Sequence, residues 1–262
     1  MSKSTSPKVL IYDIETAPIV SYVWGLWNND VSLNQVKSDW HLLSWSAKWL
    51  GEKRVMYQDN RNAKNIENDH NLLKGIWKLL DEADIVVTQN GKNFDQKKLY
   101  ARFIINGFKP PSTSKHIDTL EIAKRRFGFT SNRLEYLSNT LCKRMKKSQH
   151  SKFPGFEMWK ACLNGNKAAW QEMEKYNKLD VLALEELYNK LAPWDSTVNF
   201  NLYHDNDDYT CKCGSTEFNK NGFCFTTVGK FQRYICKKCG HETRSSQNLF
   251  TKVKRQSLRR KV

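Results

Sequence analysis

The apolar residues fall into short blocks of two kinds, and their order along the chain predicts an α/β fold. The first block, Val9-Leu10-Ile11-Tyr12-Asp13-Ile14-Glu15-Thr16, is rich in β-branched residues and bounded by Pro7 and Pro18; it reads as a buried strand. Leu42 to Leu50 reads as a second strand, and Gly51-Glu52-Lys53 turns it into a third, Arg54-Val55-Met56-Tyr57, as a hairpin. Leu72, Leu73, Ile76, Leu79 and Leu80 recur at helical spacing between Asn71 and Ala83. Asp84 to Asn90 predicts a fourth strand, followed by a helix carrying Leu99, Ala101, Phe103 and Ile104. Lys115 to Leu120 is short and alternating, a fifth strand. Leu134, Leu137 and Leu141 mark another helix. A long last helix starts within Lys167 to Glu174, carries Leu184, Leu187 and Leu191, and stops at Pro193. The segment with Tyr22, Trp24 and Trp27 has little periodicity and reads as a loop or short helix. Its aromatics are expected in the core, with base stacking as the alternative.

The polar residues inside these blocks carry the candidate chemistry. Asp13 and Glu15 are two residues apart in a strand, so both leave the same face. Two anions held together repel unless a cation or a proton lies between them, and a hard divalent cation takes such oxygen ligands. An acidic strand end is the simpler alternative. Asp95 falls at a helix N-terminus after the Asn90-Gly91 turn, where a carboxylate serves either as a cap or as a metal ligand. Tyr176 and Asp180 are spaced i, i+4 and share one helix face. A mid-helix Asp among apolar residues needs a partner if it is buried.

Together these pieces resemble the DEDD superfamily of 3′–5′ exonucleases, tyrosine subtype. The motifs are Asp13-Ile14-Glu15-Thr16, Asn90-Gly91-Lys92-Asn93-Phe94-Asp95 and Tyr176-Asn177-Lys178-Leu179-Asp180, with Asp118-Thr119-Leu120 resembling an intervening segment. The histidine subtype has His five residues before the last Asp, where this chain has Lys175. The resemblance spans Lys8 to Pro193 and implies a ribonuclease-H-like mixed five-stranded sheet flanked by helices. It implies two Mg²⁺ or Mn²⁺ ions, about 3.5–4 Å apart in such sites. Asp13, Glu15 and Asp180 would hold one, with Asp13 bridging to the second and Asp95 binding that one directly or through water. Tyr176, too weak an acid for a general base, would orient the nucleophilic water. Thr16, Asn90 and Phe94 are expected to contact the terminal nucleotide, and Asp118 to support the site from outside the ligand set. The activity implied is stepwise hydrolysis of phosphodiester bonds from the 3′ end. DNA is preferred to RNA as substrate; RNA trimming and an idle nucleic-acid-binding adaptor are the alternatives.

Beyond Pro193 the pattern changes. Trp194 to Tyr209 is polar and reads as a linker, giving a first domain over 1–194, a linker over 195–209, a ribbon over 210–250 and a basic tail over 251–262. Cys211-Lys212-Cys213-Gly214 and Cys236-Lys237-Lys238-Cys239-Gly240 supply two thiolate pairs suited to one structural Zn²⁺. The strands between them are expected to turn at Gly229-Lys230, which resembles a zinc ribbon. The first pair is Cys-x-Cys rather than Cys-x-x-Cys, so Cys224 and His241 are possible substitutes.

Charge decides the partner. The 262 residues carry a net +16, and Asp195 to Val262 holds 13 Lys/Arg against six Asp/Glu. Such a balance favours a polyanion, and without a basic amphipathic helix this means nucleic acid rather than a membrane. The runs Lys143-Arg144-Met145-Lys146-Lys147, with Lys152, and Lys252 to Lys261 are candidate phosphate contacts; a protein partner is the alternative use of the ribbon. Seven Cys and no signal-like N-terminus point to an intracellular, cytoplasmic chain, and the Lys/Asn-rich usage to an AT-rich genome such as a phage's.

Overall fold

The computed structural model describes residues 6–143, 152–204 and 208–259. The chain divides into two compact units, Lys8–Lys190 and Leu191–Val262, the latter together with Met1–Pro7.

The first unit is built on strand β1 (Val9–Thr16). A short ribbon of β2 (Val20–Ser21) and β3 (Val36–Ser38) follows. Next come β4 (Leu42–Trp49), β5 (Met56–Asp59), helix α1 (His70–Glu82), β6 (Ile85–Thr88), α2 (Asp95–Ile105) and β7 (Lys115–Asp118). Helices α3 (Thr119–Arg126), α4 (Leu134–Leu141), α5 (Glu157–Leu163) and α6 (Lys167–Leu191) complete it. Strand order is β5-β4-β1-β6-β7, with β1–β4 and β4–β5 antiparallel and β1–β6 and β6–β7 parallel. This is the mixed five-stranded, helix-flanked sheet expected.

The central position of β1 explains its unbroken apolar run, because both sheet faces are covered. On one face Leu10, Tyr12 and Ile14 pack with Leu72, Leu73, Ile76 and Leu80 of α1 and Leu99 and Phe103 of α2. On the other, Leu43 packs with Met158 and Cys162 of α5 and Ala169, Trp170 and Met173 of α6. Asp69, just before α1, is fully buried and ties these parts together: its carboxylate accepts the Leu42 N–H at 2.9 Å and both arms of the Arg102 guanidinium at 2.7–2.8 Å.

Four expectations are corrected. The third strand starts at Met56 and runs to Asp59. The fifth ends at Asp118, whose carboxylate caps α3 by accepting the Leu120 N–H. Helix α5 appears in a stretch that showed no element. The aromatics at 22–27 are not core: Tyr22, Trp24 and Trp27 stand in an exposed arm between β2 and β3.

The second unit contains β8 (Phe218–Thr226), β9 (Gly229–Cys236), β10 (Glu242–Arg244) and α7 (Lys252–Ser257), the sheet ordered β10-β9-β8. The hairpin turns at Thr227-Val228, with Gly229-Lys230 already in β9. Residues 195–209 include a 3₁₀ turn, Phe200–Tyr203, and buried Val198 and Phe200. Arg144 to Lys147, Arg260 and Lys261 lie outside the described residues. Among the described residues, no helix is long and apolar enough to cross a membrane.

Candidate active site

The carboxyl ends of β1 and β6 lie side by side, since Val9 to Ile11 pair in parallel with Ile85 to Val87. Asp13 and Glu15 sit at the end of β1, and the Asn90 turn follows β6 at the same edge. A crevice outside the carboxyl ends of parallel strands is where open α/β sheets hold their ligands.

Asp13, Glu15 and Asp180 each bring one carboxylate oxygen to within 4.8 Å of the others. The first two come from alternate positions of β1, the third from the middle of α6. The donor set is three hard oxygens, partly or fully buried, and fits a divalent cation of the Mg²⁺ or Mn²⁺ type. Tyr176, one turn before Asp180, is nearly buried and hydrogen-bonds it. Burial, reinforced by Asp180, Glu15 and Asp13, raises its phenol well above the ordinary range, so it stays protonated.

Two further residues touch the triad. The Asn177 amide donates to Asp13 Oδ2 at 2.6 Å, and its carbonyl accepts from the Ser44 hydroxyl at 3.3 Å. The Trp159 indole N–H donates to Glu15 Oε2 at 3.1 Å and packs edge-on against Tyr176. Asn177 lies inside the third motif, so its spacing was visible although its partner was not. Trp159 sits on the unforeseen α5 and left no signal in the sequence.

Asp95 stands apart from the three. It opens α2, is 4% exposed, and its Oδ1 accepts the Ile14 N–H at 3.2 Å, which fixes it against β1 between the two acidic positions. Burial pushes its carboxyl up to about 7, against the pull of the Ile14 amide. Asp118 holds the turn beside it: its carboxylate accepts the N–H groups of Asn90 at 2.8 Å and Lys92 at 3.3 Å. Asn90 has a positive φ of 64°, the left-handed region that Asn tolerates better than most side chains. Gly91 follows because a Cβ there would lie 2.5 Å from that of Thr88. Phe94 is 41% exposed at the start of α2, and Thr16 lies at the irregular end of β1, where the pairing with β4 shifts register.

Residues 10–192 match the model of the RNase_H superfamily. The chain belongs to the RNase_H superfamily. None of the curated proteins matches it in sequence. Among solved structures, the family B DNA polymerase from the hyperthermophilic archaeon Pyrobaculum calidifontis is similar in fold, with a TM-score of 0.53 and 15% identity. The match covers 72% of this chain and 25% of the polymerase chain. This chain thus spans about a quarter of that polymerase, and at this identity the likeness is one of fold. The RNase_H superfamily fold is nuclease-like.

In this RNase_H superfamily member a second ligand cluster lies in the Leu191–Val262 unit. Cys211, Cys213, Cys236 and Cys239 bring their sulfurs within 4.8 Å of one another, with Cys211–Cys239 and Cys213–Cys236 at 3.6 Å. Four thiolates at about 2.3 Å from a tetrahedral Zn²⁺ would stand roughly 3.8 Å apart, so the cluster fits that ion. Gly214 and Gly240 end the two loops with φ of 80° and 75°, which lets the chain fold back over each Cys pair. Cys224 lies in β8 outside the cluster, and His241 Nδ1 pairs with the Pro193 carbonyl at 2.9 Å.

Proposed function

We propose that this protein is a metal-dependent 3′–5′ exonuclease that releases nucleoside monophosphates, acting on DNA in preference to RNA. The observation that carries the reading is the convergence of Asp13, Glu15 and Asp180 on one cation-sized space with Tyr176 against Asp180. The likeness to part of a DNA polymerase favours DNA.

Asp13, Glu15 and Asp180 would hold a divalent ion, and Asp13 with Asp95 a second. When bound, such ions supply Lewis-acid stabilisation of the phosphoryl charge and lower the pKa of water. The protein's own residues do the positioning. Asn177 and Trp159 each donate to one oxygen of Asp13 and Glu15, which would restrain these carboxylates and leave the other oxygen for the ion. Tyr176, kept protonated, does not act as a base; it would exchange its hydrogen bond to Asp180 for one to the attacking water or a phosphate oxygen and so orient it. The Asn90 turn and Phe94 would seat the terminal nucleotide, and Thr16 would flank it.

We assign one structural Zn²⁺ to the four cysteines. The basic ribbon and tail would tether the substrate through its phosphates; docking another protein is the competing use.

The test is release of mononucleotides from 3′-labelled single-stranded DNA, duplex DNA and RNA with Mg²⁺ or Mn²⁺. Wild type should digest single-stranded DNA fastest, and Asp13→Ala or Asp180→Ala should lose at least a hundredfold in rate. Equal digestion by these variants refutes the assignment.

A further inference from the structure

The arm between β2 and β3 is anchored yet displays its apolar side chains to solvent. Its ends are held by the pairing of Val20 with Ser38 and Ser21 with Val36, by the Tyr22 N–H to the Gln35 carbonyl at 2.9 Å, and by the Gln35 side-chain amide to the Tyr22 carbonyl at 3.0 Å. Between those ties Trp24 is 102% exposed, Leu33 91%, Leu26 87%, Trp27 85% and Tyr22 67%. Single exposed apolar residues need no explanation, but this many within twelve positions mark an interaction surface.

The arm's position says what covers it. It leaves β1 directly after Thr16, next to the carboxylate Glu15, and the Ala17 N–H bonds the His41 carbonyl at 2.8 Å, closing the base of the excursion beside the site. Strand β3 leads through Asp39 to Trp40. The Lys98 ammonium lies 3.7 Å from the centre of the Trp40 ring and 5.8 Å from that of Phe94; the Arg102 guanidinium, 5.8 Å from Trp40, is already paired with Asp69 and only backs the ring. Two rings with the Lys98 cation between them therefore run from Phe94, beside Asp95, to Trp40 at the foot of the arm. Rings with cations among them are what a single-stranded nucleic acid requires, stacking for its bases and positive charge for its phosphates. The cation beside the rings matches the phosphates of a strand whose bases stack, and the test below separates that occupant from a protein or a second copy.

We propose that Trp24 and Trp27, continued by Trp40 and Lys98, form a stacking platform for the unpaired bases that precede the 3′-terminal nucleotide. This rests on the exonuclease reading for the direction of the strand but not for binding itself. The platform would make the protein prefer a single strand several nucleotides long, because each stacked base adds affinity irrespective of sequence.

The test measures binding of a fluorescein-labelled oligothymidine of about twelve nucleotides by anisotropy, with Mg²⁺ and Mn²⁺ left out so that nothing is cleaved. A strand of equal length with abasic internal positions serves as comparison. Trp24→Ala/Trp27→Ala should bind the oligothymidine about tenfold or more weakly, from the usual contribution of base–aromatic stacking. Wild type should bind the abasic strand with a similar loss, and the variant should show no additional loss on it. Both side chains are exposed, so an unchanged melting temperature will separate this effect from unfolding. Equal affinity of variant and wild type for the oligothymidine overturns the platform. So does equal affinity of wild type for the two strands, or a wild-type oligomer that the double substitution dissolves without affecting binding. A protein that binds in this pattern yet digests nothing keeps the platform and loses the exonuclease.

Discussion

At the residue scale, Asp95 is the clearest compromise. Its carboxyl titrates near 7 in the folded chain against 3.8 ordinarily, because burial disfavours its charge. Between those values the folded chain keeps a proton that the unfolded chain has lost, so metal-free stability falls as pH rises through this window. Asp95→Asn keeps the acceptor for the Ile14 N–H and removes the buried charge. It should raise metal-free stability at pH 8 by on the order of 2 kcal/mol, measured by denaturant unfolding with Mg²⁺ and Mn²⁺ omitted, while digestion of single strands collapses. Variant and wild type equally stable at pH 8 would contradict the burial argument. Spacing put Asp13 with Glu15 on one strand face and Tyr176 with Asp180 on one helix face, because strand and helix periods fix which residues share a face; that the two pairs belong together, and Asp95 with them, came only from the resemblance. The partners Ser44, Asn177 and Trp159 were not, since side-chain hydrogen bonds across more than a hundred residues depend on packing that no local pattern encodes.

At the element scale, the same boundary between local and non-local signals explains the misses. Helix α5 has seven residues, too few for a period to register, and it is placed by Met158 and Cys162 packing under α6. Helix α3 was hidden by the strand before it, although Asp118 as cap, Glu121 in the first turn and Lys124, Arg125 and Arg126 in the last are helix signals. The arm departs from the sequence pattern because Trp24 and Trp27 invert the usual rule that such residues are buried.

Two elements supply predictions. His116 on β7 lies between the Thr88 hydroxyl at 2.7 Å and the Gln96 side-chain oxygen at 3.1 Å, an arrangement that suits the neutral ring with its proton on Nδ1. Burial lowers its pKa from 6.5 to about 4. The unfolded chain takes up this proton below 6.5 and the folded chain does not until about 4, so its contribution is complete above 6.5 and is lost as pH falls across that window. His116→Gln should therefore flatten the acid side of the stability curve by about 2 kcal/mol, read as variant minus wild type between pH 7 and 4.5. Asp69→Ala should cost about 3–5 kcal/mol in denaturant unfolding, because it strands Arg102 in a buried setting. A loss under 1 kcal/mol would mean that Arg102 finds water.

At the scale of the whole molecule, two units of different physics share the chain. The Lys8–Lys190 unit has apolar clusters on both sheet faces. The C-terminal module is a single three-stranded sheet, with Cys211 and Cys236 among its few buried side chains. So small a core would be held together by the Zn²⁺ proposed for the four cysteines. Removing zinc with a strong chelator should open residues 191–262 to protease while leaving a resistant fragment near 8–190; an unchanged digestion pattern would argue against the zinc. Residues 210–262 also hold 13 Lys/Arg against two Asp/Glu, so truncation before Thr210 should lower the salt dependence of DNA binding by several phosphate contacts. An unchanged slope would favour protein docking.

In the proposed mechanism three carboxylates from two distant stretches of chain share a cation. Anomalous scattering from crystals grown with Mn²⁺ and a short single strand measures this directly. The expected result is a peak within coordination distance of Asp13, Glu15 and Asp180, and a second beside Asp13 on the side of Asp95. Mn²⁺ located elsewhere, in a protein that still digests the strand, would contradict it.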